Sequence, residues 1–590
     1  MTITLHRSAF LEAILRHDGS SVAIVESECG ASFPYRSLLT SIARAKEQIL
    51  LKTGKCDASI SGERIAFMVE SGYEYVVTLL AILACNAIAV PLAPSFPAAE
   101  LRYIINNSEA LALISSSKHA AKAEEVVAEE LSATKPILYQ LQGARDIPTI
   151  EEEVKLQDFS DGPRGGMMLF TSGTTARPKG VVLSQTNLTA QAECLLKAWK
   201  YVPSDRLLHV LPLHHIHGTV NALLTPLLAG SSVEFMYPFN VNSVWTRLAA
   251  PFLTTKQQNG TEETIPITFF TAVPTIWARM LKAYDGLSHE MQMAGKEAAS
   301  PENLRLNISG SAALPKPIRD GWMKLTGGNV LLERYGMTEV GMALSCGLEN
   351  IDRVDGSVGW PLPSVEARLV ETNDDTGAQT IIQPGEEVDS HSGKERTGEI
   401  QLRGPTVFRE YWRNPEATAK EFTTDGWFKT GDIAVRRNIP GSGLGKSGSW
   451  AKGPAYFIQG RRSADIIKTG GEKVSALEVE REILALPEID ECAVVGLPSE
   501  AWGQKVAAVV VLSNSDQPME LPHLRSALKQ RITTYKIPQD MEIVKTLPRN
   551  AMGKVNKKDL VASVFGAGDR IRRRSLDLRC RRPVMVGNRT

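Results

Sequence analysis

Three groups of residues carry types and spacings suited to chemistry on a phosphorylated substrate. The first is Thr171-Ser172-Gly173-Thr174-Thr175-Ala176-Arg177-Pro178-Lys179-Gly180. Its backbone N–H groups and hydroxyls can surround phosphate oxygens while Arg177 and Lys179 neutralise charge. A Walker loop would need Gly, four residues, then Gly-Lys-Ser/Thr opening a helix. That order fails here, and Pro178 argues against a helix start. The second group is Glu333-Arg334-Tyr335-Gly336-Met337-Thr338-Glu339, in which Tyr335 can stack on a flat ring and Thr338 can donate to a phosphate. Glu339 is an oxygen ligand of the kind that a hard, phosphate-bound Mg²⁺ prefers. The third is Leu213-His214-His215-Ile216-His217, whose histidines lack the nearby Cys or Asp/Glu pattern that would complete a metal shell.

Each group needs elements to hold it. Met167–Phe170 and Val181–Leu183 read as strands flanking the first loop, and Leu306–Ile308 reads as a strand running into the small-residue turn Ser309-Gly310-Ser311-Ala312-Ala313. Apolar runs at Arg64–Val69 and Ala110–Ile114 alternate with helical patterns at Gly72–Leu83 and Ala98–Asn106, which favours a parallel, helix-covered α/β sheet. Lys118–Thr134 reads as a surface helix, and Thr254–Ile265 as a polar surface insertion. Gly441–Gly453 is low in complexity and predicts a mobile loop. Beyond Arg462, strands at Cys492–Val495 and Val506–Leu512 and a helix near His523–Ile532 form a compact α+β unit. There Ser475 and Glu478 predict a capping box opening an amphipathic helix with Leu477, Ile483 and Leu484 inward.

The order TSGTT, SGSAA and, about 160 residues after the first, YGMTE, then Gly356-Ser357-Val358-Gly359-Trp360-Pro361 and Gly426–Asp432, resembles the adenylate-forming superfamily. That superfamily holds acyl-CoA synthetases, peptide-synthetase adenylation domains and luciferases. The resemblance spans roughly residues 8 to 563. It implies an α/β protein: a large N-terminal adenylate-forming domain of helix-covered sheets (1–461), a small mobile C-terminal α+β domain (462–565) and a basic tail (566–590), read as disordered. ATP, Mg²⁺ and CoA are implied as the small-molecule partners, with an acyl-AMP intermediate. Residues carried over by resemblance are Thr171, Ser172, Gly173, Thr174, Thr175 and Lys179 at the phosphates and Gly310, Ser311, Ala312, Tyr335, Gly336 and Thr338 around AMP. Asp432 and Arg461 would hold the ribose, Glu339 the Mg²⁺, and Lys554, on a Gly-containing loop, would act at the α-phosphate. Lys468, Gly470 and Gly471 are expected at the CoA thiol, and Ser463 stands at the hinge position. Two departures stand out: Ala176 replaces the usual Gly, and Ser463 the usual Asp or Lys.

Arg334 bears on the acid. Facing a fatty tunnel, an unpaired cation would carry a heavy desolvation cost. Facing a second carboxylate, it would be a clamp, and in an ion pair, for instance with Glu333, it would be structural. ERYGMTE, His217 and RRSADIIKTGGEKVSALEVE most resemble malonyl-CoA synthetases, including the mitochondrial malonyl/methylmalonyl type. There an arginine holds the distal carboxylate of a dicarboxylic acid, helped by a histidine and a serine, here His217 and Ser311, with His215 beside the acyl pocket. A medium-chain fatty or aromatic acyl-CoA synthetase and a carrier-loading adenylation protein are the alternatives.

Length and composition fit this frame. The chain's 590 residues exceed one core, and Lys plus Arg equal Asp plus Glu at 66 each, so nothing marks a nucleic-acid binder. The seven cysteines form no CxxC and no disulfide framework, as expected of an intracellular, cytoplasmic protein, with a mitochondrial one as the alternative. Val76–Leu92 is interrupted by Asn86 and Pro91, so no membrane span is expected. Monomer or homodimer is the expected state.

Overall fold

A computed structural model describes residues 2–141, 153–158, 162, 164–171, 177–253, 264–373, 376–470, 472–514, 519–549 and 555–566. Among these, strands form two large sheets, an antiparallel sheet, a two-stranded pairing of Thr2–His6 with Glu153–Gln157 and the sheet of a smaller C-terminal domain. The first large sheet is parallel at its centre, where Arg64–Met68 lies between Ile88–Pro91 and Ala112–Ser115. Fully buried strands of this kind need apolar residues on both faces, which explains the continuous runs in the sequence. The helix Tyr73–Ala84, buried along its length, follows the first of these strands, so Val76–Leu92 is a core helix leading into a strand. No helix among the described residues is long and apolar enough to cross a membrane.

At one edge of this sheet the hairpin Gly166–Thr171 and Lys179–Ser184 pairs antiparallel, placing Lys179 opposite Thr171. The hairpin's far side pairs with the short strand Glu410–Tyr411. Ser184 then starts the helix Gln185–Trp199, its hydroxyl accepting from the Asn187 N–H while its own N–H donates to the Asn187 side chain. The second large sheet places Phe269–Ala272, Leu306–Ser309 and Leu332–Met337 side by side in parallel. Gly341–Ser345 closes back on the last of these, with a bulge between Tyr335 and Gly336. A side chain at Gly336 would run into the Gly341 carbonyl, so only glycine fits that bulge.

The smaller domain has a core of its own around Val479, Ile483, Val494, Val506 and Leu524. Ser475 caps the helix Ala476–Leu484 by accepting from the Glu478 N–H, but the Glu478 carboxylate pairs with Lys536 at 2.7 Å. Half of the predicted capping box is therefore used elsewhere, and Val479 takes the inward place expected of Leu477. The expected Lys118–Thr134 helix is shorter, spanning Ala120–Ala128 after a single turn of 3₁₀ helix.

The expectation of a mobile loop at Gly441–Gly453 is overturned. Gly441, Gly443, Gly445, Gly448 and Gly453 all adopt positive φ, and the buried Asp352 carboxylate accepts from Ser442 Oγ at 3.1 Å, Gly443 N at 3.0 Å and Ser447 Oγ at 2.7 Å. Trp360 Nε1 donates to the Gly453 carbonyl at 2.8 Å. The glycines and serines of this segment serve turns and a buried acceptor. Composition alone reads the same residues as slack.

Candidate active site

The phosphate-loop hairpin supplies Thr171 and Lys179, while Ser172, Gly173, Thr174, Thr175 and Ala176 lie outside the described residues, as do Gly471 and Lys554. The Lys179 ammonium sits 4.2 Å from the centre of the Tyr411 ring, and Tyr411 Oη donates to Glu339 Oε1 at 2.9 Å. One aromatic side chain thus links the lysine expected at the phosphates and the carboxylate expected to hold Mg²⁺. Tyr411 was not among the residues picked from sequence. Its place follows from pairing between Glu410–Tyr411 and Lys179–Ser184, more than 200 positions apart, which no local motif reports.

Tyr335, Asp432 and Arg461 come together. Tyr335 Oη donates to Asp432 Oδ2 at 2.6 Å and Arg461 Nε donates to Asp432 Oδ1 at 3.0 Å. Antiparallel pairing of Phe428–Arg437 with Ala455–Arg461 puts Asp432 opposite Arg461. Burial raises the Asp432 carboxyl above its ordinary value, against the pull of Arg461. Thr338 and Glu339 occupy the turn that follows the Leu332–Met337 strand.

Strand alternation sends Glu333 and Arg334 to opposite faces. Glu333 Oε2 accepts from the Leu314 N–H at 3.3 Å, and burial pushes its carboxyl up to about 8. The structural ion pair between Glu333 and Arg334, open on sequence, is absent. Arg334 is 4% exposed, and its guanidinium lies against Gly310, where a Cβ would come within 2.5 Å of Cζ and Nε. Among the described residues its hydrogen-bond partner is the Ser311 hydroxyl at 3.4 Å, and its Nε has none. Burial pulls the guanidinium down to about 9. Ser311 holds φ +70° at the strand's end, a conformation that costs a non-glycine residue about 1 kcal/mol or more.

His217 is buried beside this arginine. Its Nε2 lies 2.7 Å from Thr271 Oγ1, and burial, then Arg334, His209 and His215, hold the imidazole well below its ordinary value. His215 packs against His214 with ring centres 4.1 Å apart and planes tilted by 51°, and His214 meets Phe96 at 5.2 Å. No group of three or more His, Cys, Asp or Glu able to hold a metal occurs among the described residues. Gly310, Ser311, His217 and Arg334 therefore make a neutral-to-cationic cluster, and the hydroxyl of the next residue, Tyr335, turns to Asp432.

Ser463 is exposed on the turn between Arg461 and the strand Ile466–Thr469, whose partner Glu472–Ser475 completes a hairpin. Lys468 and Gly470 lie on that hairpin, with Gly470 beneath the exposed Trp502 ring. Lys557 bridges Asp465 at 2.5 Å and Glu480 at 2.7 Å, fastening the chain's last described helix to the turn. Arg481 pairs with Asp355 of the large domain. Neither Lys557 nor Arg481 carries a signal that sequence reading could have used, since each acts through distant acids.

Glu333 yields a stability prediction. A carboxyl raised from 4.5 to about 8 stays protonated in the native state after the unfolded chain has released its proton. Its stabilising contribution is complete at low pH and is lost as pH rises through about 8. Glu333→Gln, neutral at every pH, should match wild type in thermal denaturation at about pH 3.5, below the ordinary carboxyl value of 4.5. It should unfold at a higher temperature at pH 8.5, the gap being on the order of a few kcal/mol. A gap that does not change with pH would overturn this.

The comparisons with known proteins bear on the whole chain. Residues 60–412 match the AMP-binding enzyme family and residues 478–554 its C-terminal domain. A CoA ligase of Gibberella moniliformis is 80% identical over the full length of both chains. The mitochondrial malonate–CoA ligase of Homo sapiens is 39% identical over 92% of this chain and 90% of its own. The crystal structure of ATP-bound MatB from Rhodopseudomonas palustris superposes with a TM-score of 0.73 at 29% identity, covering 94% of this chain and 98% of that one. The chain belongs to the AMP-binding, adenylate-forming enzyme family and is an AMP-forming acid–CoA ligase.

Proposed function

We propose that the acid is malonate, activated as malonyl-AMP and released as malonyl-CoA. The observation that carries this reading is Arg334: a cation 4% exposed, against Gly310, with no carboxylate partner among the described residues. Burying such a charge is expensive unless an anion meets it, and one carboxylate of malonate supplies that anion while the other stays free to react. A fatty or aromatic acid would leave the cost in place. The human relative's name, malonate–CoA ligase, agrees with this reading.

In the first step an oxygen of the reacting carboxylate attacks the α-phosphorus of ATP, and the bond to pyrophosphate breaks. Lys179, Thr174 and Lys554 hold charge on the phosphoryl oxygens, where positioning and electrostatics supply most of the catalysis. Glu339 is the residue that would hold a phosphate-bound Mg²⁺, since that ion takes one or two protein carboxylates and completes its shell with phosphate oxygens and water. The ion would supply charge neutralisation. Thr171, Ser172, Gly173 and Thr175 cradle the phosphates, and Gly310, Ser311, Ala312, Tyr335, Gly336 and Thr338 surround the adenine and α-phosphate. Asp432 and Arg461 hold the ribose hydroxyls. In the second step the small domain turns about the Ser463 hinge. Lys468, Gly470 and Gly471 then face the site, where the CoA thiol attacks the acyl carbonyl and AMP leaves with the bonding pair.

Pyrophosphate release with Mg·ATP, CoA and malonate, methylmalonate, succinate, acetate, octanoate or 4-coumarate tests the assignment. Malonate is expected to give the highest kcat/KM, with methylmalonate next. Preference for octanoate or coumarate would overturn it.

A further inference from the structure

We infer that Thr271 is a positioning residue for the acid: its hydroxyl decides which ring nitrogen of His217 carries the proton. The inference rests on the reading above, in which His217 and Arg334 meet the distal carboxylate. Thr271 lies on the strand Phe269–Ala272, next to Leu306–Ser309, which leads into Gly310 and Ser311. Its Oγ1 is 2.7 Å from His217 Nε2, and the two residues are 1% and 5% exposed.

The imidazole is neutral, because burial and the neighbouring Arg334 oppose a second proton. A neutral ring has one N–H to place. Among the described residues the hydrogen-bond partner of the Thr271 hydroxyl is His217. If Nε2–H donated to Oγ1, the hydroxyl's own proton would be a buried donor left unused, an arrangement that protein interiors avoid. The hydroxyl therefore donates, Nε2 accepts, and the ring proton resides on Nδ1. His209 does not compete for this contact, since its own Nε2 lies 2.9 Å from the Gly218 carbonyl. An imidazole set in this way offers an anion an N–H, whereas the other tautomer would offer a lone pair. Valine would fill the same space on the strand, so only the hydroxyl distinguishes threonine at this position.

Kinetics of the full-length wild type, Thr271→Val and Thr271→Ser with malonate and with acetate test the role. Thr271→Val should raise KM for malonate about tenfold, the share of one hydrogen bond to an ion. KM for ATP and kcat/KM for acetate should stay within about twofold of wild type, and Thr271→Ser should restore malonate KM. Unchanged malonate KM in Thr271→Val, or equal losses on both acids, overturns the role. A wild type that shows no preference for malonate over acetate overturns the function reading itself, and the role with it. The ¹⁵N ring spectrum of the wild type gives a second measure that does not depend on how Thr271→Val folds. Its ten histidines are resolved by subtracting the spectrum of His217→Asn. An Nδ1–H tautomer at His217 supports the role and an Nε2–H tautomer overturns it.

Discussion

Arg334→Ala is expected to lower kcat/KM for malonate by about 10²–10³-fold, the usual consequence of removing one partner of a desolvated ion pair. KM for ATP should change less than KM for malonate, because Arg334 bonds to Ser311 while Tyr335 and Arg461 meet at Asp432. Activity with acetate, which has no distal carboxylate, should survive. A second readout separates this role from a structural one. Without substrate the wild-type cation is buried beside a hydroxyl at 3.4 Å and little else. Replacing it with a neutral side chain should leave the melting temperature unchanged or raise it, because the cost of an unpaired buried charge disappears. An arginine that held the fold together would give the opposite result. Loss of malonate and acetate activity in parallel, with a lower melting temperature, would overturn the clamp.

Asp432→Asn is expected to raise KM for ATP by about 10²-fold while leaving KM for malonate nearly unchanged. The buried Asp432 carboxylate accepts from Tyr335 Oη at 2.6 Å and from Arg461 Nε at 3.0 Å. An amide keeps only one acceptor and turns an N–H₂ toward one of those donors, so the nucleotide side loses a bond and gains a repulsion. Initial rates of pyrophosphate release across an ATP titration measure this. An unchanged ATP KM would mean that Asp432 serves only the packing of Tyr335 and Arg461.

Much of this organisation is legible in the sequence because the chemistry sits in short segments. Thr171–Gly180 and Glu333–Glu339 each bring their own flanking strand, and a strand with its turn fixes the local geometry. Partnerships across long separations are not legible. Tyr411 reaches Glu339 across 72 positions and Thr271 reaches His217 across 54, and neither tyrosine nor threonine announces such a role in a β-type run. Glu333 and Arg334 show the limit from the other side. Adjacent opposite charges suggest an ion pair, yet the period of the strand drives them apart. The Gly441–Gly453 segment misleads because composition records how free a chain is to bend but not the buried acceptor, Asp352, around which it bends.

The alternation of the Leu332–Met337 strand has a consequence for how such an enzyme can diverge. Arg334 lies against the Gly310–Ser311 turn, and the next residue, Tyr335, reaches Asp432. On the proposed reading, acid choice and nucleotide handling are written on alternate residues of one strand. A substitution at position 334 that alters the accepted acid leaves the Tyr335 side chain on the other face untouched, and with it the contact to Asp432. Descendants of one gene can therefore explore new acids while inheriting the Tyr335–Asp432–Arg461 contacts, with Ser311 the residue that both sides share.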